Sequence, residues 1–248
     1  MIPKPLPHPA LLTWRLLITP GKIGLFILFW VAAIGITAFA LFYDHTYTVS
    51  RIGVSYWEET FDVVTLYTYI TGIRLTYSHL PVLINHGITR KHMSIGVLLF
   101  CATFAFANAA MISLGFGAEY LVYQANSGWS EQLGPHHLFA KASEQFPILV
   151  ESFILNLFGV LIAHFCATTF YRFGKIGGYL AIAVAINLSA GIEVRFYDGM
   201  VNLLRDGTFL RGQLPAPIFF LSYGLAIIVL YTLVHYMIRT AEIKPQLR

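Results

Sequence analysis

Apolar residues in this chain run in long blocks, without the strict alternation of a half-buried strand. Ile23 to Tyr43 carries no charge, and neither does Ser94 to Ala118. Ser152 to Tyr171 contains only His164, Ile176 to Ile192 is short but uncharged, and Leu214 to Ile238 contains only His235. A sixth stretch, Val63 to Leu83, is aromatic and apolar but includes Arg74 and His79. A helix needs about 20 mostly apolar residues to cross a bilayer. The pattern therefore predicts an all-α membrane protein with spans at about 23–43, 58–83, 94–118, 152–171, 176–192 and 214–238.

Basic residues decide whether the weak second stretch belongs. With six spans and a cytoplasmic N-terminus, the inner segments hold Lys4, Arg15, Lys22, Arg74, Arg90, Lys91, Arg172, Lys175, Arg239, Lys244 and Arg248. Arg51, Lys141, Arg195, Arg205 and Arg211 fall outside. Removing the second span flips most of the inner group outward and breaks the positive-inside bias. Six spans with both termini in the cytoplasm is the expected topology. Arg74 then reaches the inner boundary, where its long stem lets it snorkel, and 77–86 continues beyond the membrane.

Shorter segments add detail. Between Pro9 and Pro20 the residues Leu11, Leu12, Trp14, Leu16, Leu17 and Ile18 flank Arg15, which predicts an amphipathic helix along the cytoplasmic face with Trp14 at headgroup depth. Prolines at 3, 5, 7 and 9 precede it as an extended lead-in. Ala38-Phe39-Ala40 resembles a signal-peptide cleavage site, but the apolar run exceeds a signal core and further spans follow, so the segment reads as an uncleaved first helix. Outside, 44–61 is a connector, 119–146 is the longest break and holds His136-His137, and 193–211 has the spacing of a short amphipathic helix.

Composition fits lipid as the solvent. Of 248 residues, 57% are hydrophobic and 11% charged, with a mean hydropathy of +0.67. Soluble domains carry about a quarter charged residues, so a soluble enzyme, a disordered tail and a nucleic-acid binder are all poor fits despite the pI of about 9.0. The chain reads as one transmembrane domain over 1–248 in a cell membrane, most simply a bacterial plasma membrane. Cys101 and Cys166 lie in apolar stretches with no CxxC or Cys/His cluster, which supports neither a disulfide nor a zinc site.

Few residues promise chemistry. A P-loop needs GxxxxGK followed by Ser or Thr, whereas Gly21-Lys22 and Gly174-Lys175 are each followed by Ile, so ATP hydrolysis is not expected of this chain. His164 near mid-span and His235 near a span end sit at different depths, which suits hydrogen-bonded packing better than haem or metal ligation. The acids Asp62, Glu119, Glu151 and Glu193 lie at the outer ends of spans, with Glu151 expected at the interface. Asn108, Asn156 and Asn187 either stitch helices together or line a pathway.

The most distinctive segment is the inner loop between the second and third spans, Asn85-His86-Gly87-Ile88-Thr89-Arg90-Lys91. Glycine permits a sharp turn, Thr89 suits a helix start, and two cations follow. This phrase, followed by a long apolar helix, resembles the "G-[VI]-[ST]-R-[KR]" turn of permease subunits of type-2 ABC exporters in their half-size bacterial form. The length, span count, orientation and preceding amphipathic helix are similar as well. The spans around the turn carry no second motif of that family. The resemblance implies a coupling helix at Gly87, Ile88, Thr89, Arg90 and Lys91 that docks on a separate cytoplasmic ATPase, which binds the ATP. It also implies a second permease subunit, identical or related, with Arg90 and Lys91 facing acidic groups and Ile88 acting as an apolar peg. A substrate path between subunits would draw on Tyr67, Tyr69, Thr103, Asn108, Ser113 and Asn156. Membrane lipid is the remaining partner, and no cofactor is expected on this chain. Two other readings stay open: a haem-bearing or enzymatic bundle that uses the histidines, and a non-transporting accessory or immunity membrane protein.

Overall fold

The computed structural model describes residues 8–47, 56–85, 87–125, 145–206 and 216–240, with side chains omitted at 44–47, 187–206 and a few helix-end positions. The proline lead-in, His86, the His136-His137 loop and the side chain of Asn187 lie outside the described residues, as do the side chains of the amphipathic outer segment. Among the described residues all regular structure is helical: α1 (Pro9–Leu17), α2 (Pro20–Tyr47), α3 (Tyr56–Arg74), α4 (Leu80–Asn85), α5 (Arg90–Ala125), α6 (Gln145–Asp206) and α7 (Ala216–Thr240). Four stretches are long and apolar enough to cross a membrane: Pro20–Tyr43, Arg90–Ala125, Ile148–Ile186 and Phe220–Thr240. Such helices are compatible with a multi-pass membrane protein. The 56–85 stretch is not among them.

The third of these stretches is folded back on itself. Gly174 has φ 71° and ψ −159°, a backbone region essentially closed to residues with a Cβ. In one straight helix Cys166 and Ala181 would stand about 22 Å apart, yet the Cys166 Sγ donates to the Ala181 carbonyl at 3.6 Å. Phe170 meets Tyr179 edge to face at 5.6 Å. So α6 is a hairpin of two antiparallel arms, 145–173 and 175–206. Its reversal falls in the gap expected between 171 and 176.

The rod that begins with α3 also departs from a regular helix. A π-helical turn, Leu75–His79, joins α3 to α4. Its cause lies just beyond, at Pro81. A proline ring collides with the carbonyl four residues earlier, here Tyr77, and one residue of extra winding at that point relieves the collision.

The first arm of α6 is central and α2 is peripheral. In their most apolar windows, 61% of residues in 148–186 are buried against 11% in 20–43. Leu25, Ile27, Leu28, Val31, Ile36 and Phe39 are all exposed on α2. That much apolar surface needs lipid or another protein against it.

Helix α1 packs against α5. Its Ala10, Thr13 and Leu17 form one buried face against α5. A Cβ on Gly96 of α5 would stand 2.4 Å from Thr13 Cβ, so the glycine is what lets the helices touch. The Trp14 Nε1 donates to Thr103 Oγ1 at 3.0 Å, and Thr103 is about 20 Å along α5 from Arg90. The expected surface helix packs on α5, where small residues let the two approach.

Candidate functional site

The turn between α4 and α5 is fastened at several points. Gly87 has φ 69°, and its N–H donates to the Ile84 carbonyl at 2.9 Å. The Thr89 carbonyl accepts from Met93 N at 2.9 Å, which makes Thr89 the residue that starts α5. Its hydroxyl, however, pairs with His92 Nδ1 at 2.6 Å and not with a backbone amide. Arg90 donates to the Arg239 carbonyl at 3.0 Å, capping the last turn of α7, where unpaired carbonyls and the helix dipole favour a cation. Arg172 serves the same helix end through the Met237 carbonyl and the Thr240 hydroxyl. Ile88 is half-buried against the core formed by Leu17, Leu83 and Met93. Gly87, Thr89 and Lys91 are the exposed members of the turn.

The six residues expected along a path separate into four places. Asn108 and Asn156 are buried at mid-bundle in a closed network. Asn108 Nδ2 donates toward Thr68 Oγ1 and Asn156 Oδ1, both at 3.3 Å, and Asn108 Oδ1 accepts from Trp30 Nε1 at 3.2 Å. The Thr68 hydroxyl lies 2.8 Å from Asn156 Oδ1, and Asn156 Nδ2 donates to the Ser152 carbonyl at 2.8 Å. One cluster thus ties α2, α3, α5 and α6 together. Ser113 is buried farther along α5. Tyr69 lines a groove between α3 and the two arms of α6, with Cys166 and Phe170.

Tyr67 and Thr103 line a different space, an open cleft of about 560 Å³ between α2, α3 and α5. Phe26, Phe29 and Phe104 supply most of its aromatic wall, and Phe29 stacks on Tyr67 at 4.2 Å. At one end stand Lys22, Arg74 and His79. Lys22 donates to the Leu17 carbonyl at 2.6 Å and is close enough to Arg74 for their charges to repel. No acidic side chain lines the cleft among the described residues. By sequence Lys22 counts as inner charge and Arg74 as a snorkelling residue. A usable signal was there, since Lys22 opens one span and Arg74 closes the next. Antiparallel neighbours must bring those ends to one level.

Buried His164 and half-buried His235 are engaged by hydroxyls. His164 Nδ1 pairs with Thr76 Oγ1 at 2.9 Å, and His235 Nδ1 pairs with Ser94 Oγ. Among the described residues no group of three or more His, Cys, Asp or Glu side chains is placed to hold a metal. Glu151, expected at the interface, is 3% exposed, and its Oε1 has no hydrogen-bond partner among the described residues. It stands one turn from buried Ile148 and beside buried Ser152, on the inward face of the arm.

No family model, curated protein or solved structure matches this chain.

Proposed function

We propose that this chain is the permease subunit of an ATP-binding-cassette exporter in a bacterial plasma membrane. Six spans, with both termini in the cytoplasm, form the bundle. A separate cytoplasmic ATPase supplies ATP hydrolysis, and a second permease subunit, the same or related, completes the pathway. The observation that carries this reading is the fastening of the 87–91 turn. Arg90 joins it to the end of α7, Ile88 joins it to the core, and Lys91 is left outward. A push on such a turn moves α5 and α7 together without bending a loose loop. ATP shifts the permease only if the docked ATPase contacts this turn differently in its two states.

The test is recovery of the tagged, full-length chain from its own host in mild detergent. An ATP-binding-cassette ATPase accompanies the wild type, and Lys91→Glu lowers its recovery by about tenfold through like-charge contact. Lys91 is chosen over Arg90 because it makes no hydrogen bond that the bundle needs. Recovery unchanged by Lys91→Glu removes the turn from the interface. The closed Trp30–Asn108–Thr68–Asn156 cluster favours a second reading, a non-transporting accessory membrane protein, since it fills mid-bundle space with paired groups. Purification with no ATPase present selects that reading.

A further inference from the structure

The cleft between α2, α3 and α5 has the two chemistries of an amphiphile set end to end. At one end are Lys22, Arg74 and His79; beyond them the walls are Phe26, Phe29, Phe104 and Ala107. None of the three basic side chains has an ion pair among the described residues, and no carboxylate lines the space. Lys22 and Arg74, like charges held together at the mouth of an apolar cleft, attract an anion, since no acidic side chain among the described residues lines the cleft to neutralise them. The length fits as well. From Lys22 to Ala32 the cleft follows α2 for about 15 Å, half of a hydrocarbon core of about 30 Å and so the depth of one leaflet. The volume, about 560 Å³, lies within the few-hundred to thousand Å³ of small-molecule sites.

We propose that this cleft binds a membrane lipid with an anionic headgroup, the headgroup on Lys22 and Arg74 and an acyl chain along Phe26, Phe29 and Phe104. His79 stands beside the headgroup. Ile18, at the break between α1 and α2, lines the cleft beside Lys22, and Ala32 lines it farther along α2. The uncharged run of α2 begins at Ile23, immediately after the headgroup contact. The assignment holds whether or not an ATPase is bound to the turn at 87–91, and the two ideas fail separately.

Native mass spectrometry of the full-length protein, with phosphatidylglycerol and phosphatidylcholine offered together, reads the preference directly. The wild type retains phosphatidylglycerol about 10- to 30-fold over phosphatidylcholine, the selectivity two basic side chains confer near a headgroup. Lys22→Gln/Arg74→Gln brings that ratio to about one, and the charge-conserving Lys22→Arg/Arg74→Lys keeps it. Arg15→Gln/Lys175→Gln removes the same charge from exposed positions outside the cleft and keeps the ratio too. Selectivity unaltered in the Gln pair, or lost equally in the Arg15/Lys175 control, overturns the site. A second measurement needs no variant: phosphatidylglycerol with a photoactivatable acyl chain labels 22–32 and 100–107 of the wild type. Labelling confined to other segments overturns the proposal. Finally, energised vesicles separate resident lipid from cargo. A bound lipid that stays in place on ATP addition is structural, as proposed; one that moves to the other leaflet is cargo and overturns the resident assignment.

Discussion

Helix α3 presents a sealed side and an open side. Toward α6, Val64, Thr68 and Gly72 of α3 and Thr76 of the π-helical turn follow one another every fourth residue, and all are buried. Three of them are matched by a specific neighbour: Thr68 by Asn156, Gly72 by the Val160 backbone, and Thr76 by His164. Toward α2, Tyr67, Ile70, Thr71 and Arg74 border a cleft, and Ile70 and Arg74 are exposed. Polar groups on the sealed side answer one another, so they hold helices together. Those on the open side include cations without an ion pair among the described residues, so they are available to something that is not this chain. One helix serves as both structural seam and wall of a site.

The strongest way to break the sealed side is at Gly72. A Cβ there would stand 2.5 Å from the Val160 carbonyl oxygen and 2.8 Å from Ala163 Cβ. The first of these is backbone and cannot swing aside, so the whole arm of α6 must move. Gly72→Val is expected to cost about 3 kcal/mol, at the upper end of overpacking effects, measured by equilibrium unfolding in mixed detergent micelles. A loss of about 0.5 kcal/mol or less would mean that the helices are not in contact there.

A smaller effect sharpens the role of the amide cluster. Asn156→Leu leaves Asn108 Nδ2 and the Thr68 hydroxyl without their shared acceptor, both in a buried site. The expected loss is about 1 kcal/mol, since interhelical hydrogen bonds in membranes contribute modestly and both groups keep another acceptor, Thr68 Oγ1 for Asn108 and the Val64 carbonyl for Thr68. Unfolding of Asn156→Leu, Thr68→Val and their combination forms a double-mutant cycle. Coupling between the two sites confirms that they act as one unit, and strict additivity would separate them.

Much of this was legible in the residue pattern, and the failures have physical causes. The uncharged runs located α2, α5, both arms of α6 and α7, because a helix in lipid needs unbroken apolar length and little else. The reversal between the arms was expected near 172–175, since Arg172 and Lys175 interrupt the apolar run. That Gly174 alone makes the turn depends on its backbone angles. The packing of α1 on α5 was not legible, because an amphipathic stripe says that one face is buried and leaves open whether lipid or Gly96 buries it. The stripe Val64–Thr68–Gly72–Thr76 is a small-residue seam in the sequence, but Tyr67, Tyr69 and Arg74 interleave with it and mask its period. Of the expected path residues, Tyr67 and Thr103 reach the cleft, while Asn108 and Asn156 close on each other. Residue type cannot tell a lining amide from a stitching one, because the outcome depends on whether a partner stands opposite.

The mildest substitution tests the open side most directly. Ile70 is 45% exposed and borders the cleft. Truncating a buried isoleucine to alanine costs about 2–5 kcal/mol, through lost transfer energy and the cavity left behind. A residue that already faces open space leaves no new cavity, and surface changes usually stay within about 0.5 kcal/mol. Ile70→Ala is therefore expected to shift the same unfolding equilibrium by no more than about 0.5 kcal/mol, in clear contrast to Gly72→Val two residues away. A loss of about 2 kcal/mol or more would mean that α2 closes tightly onto α3 in the folded protein. The cleft would then be a packed interface, and the unequal treatment of the two sides of α3 would disappear.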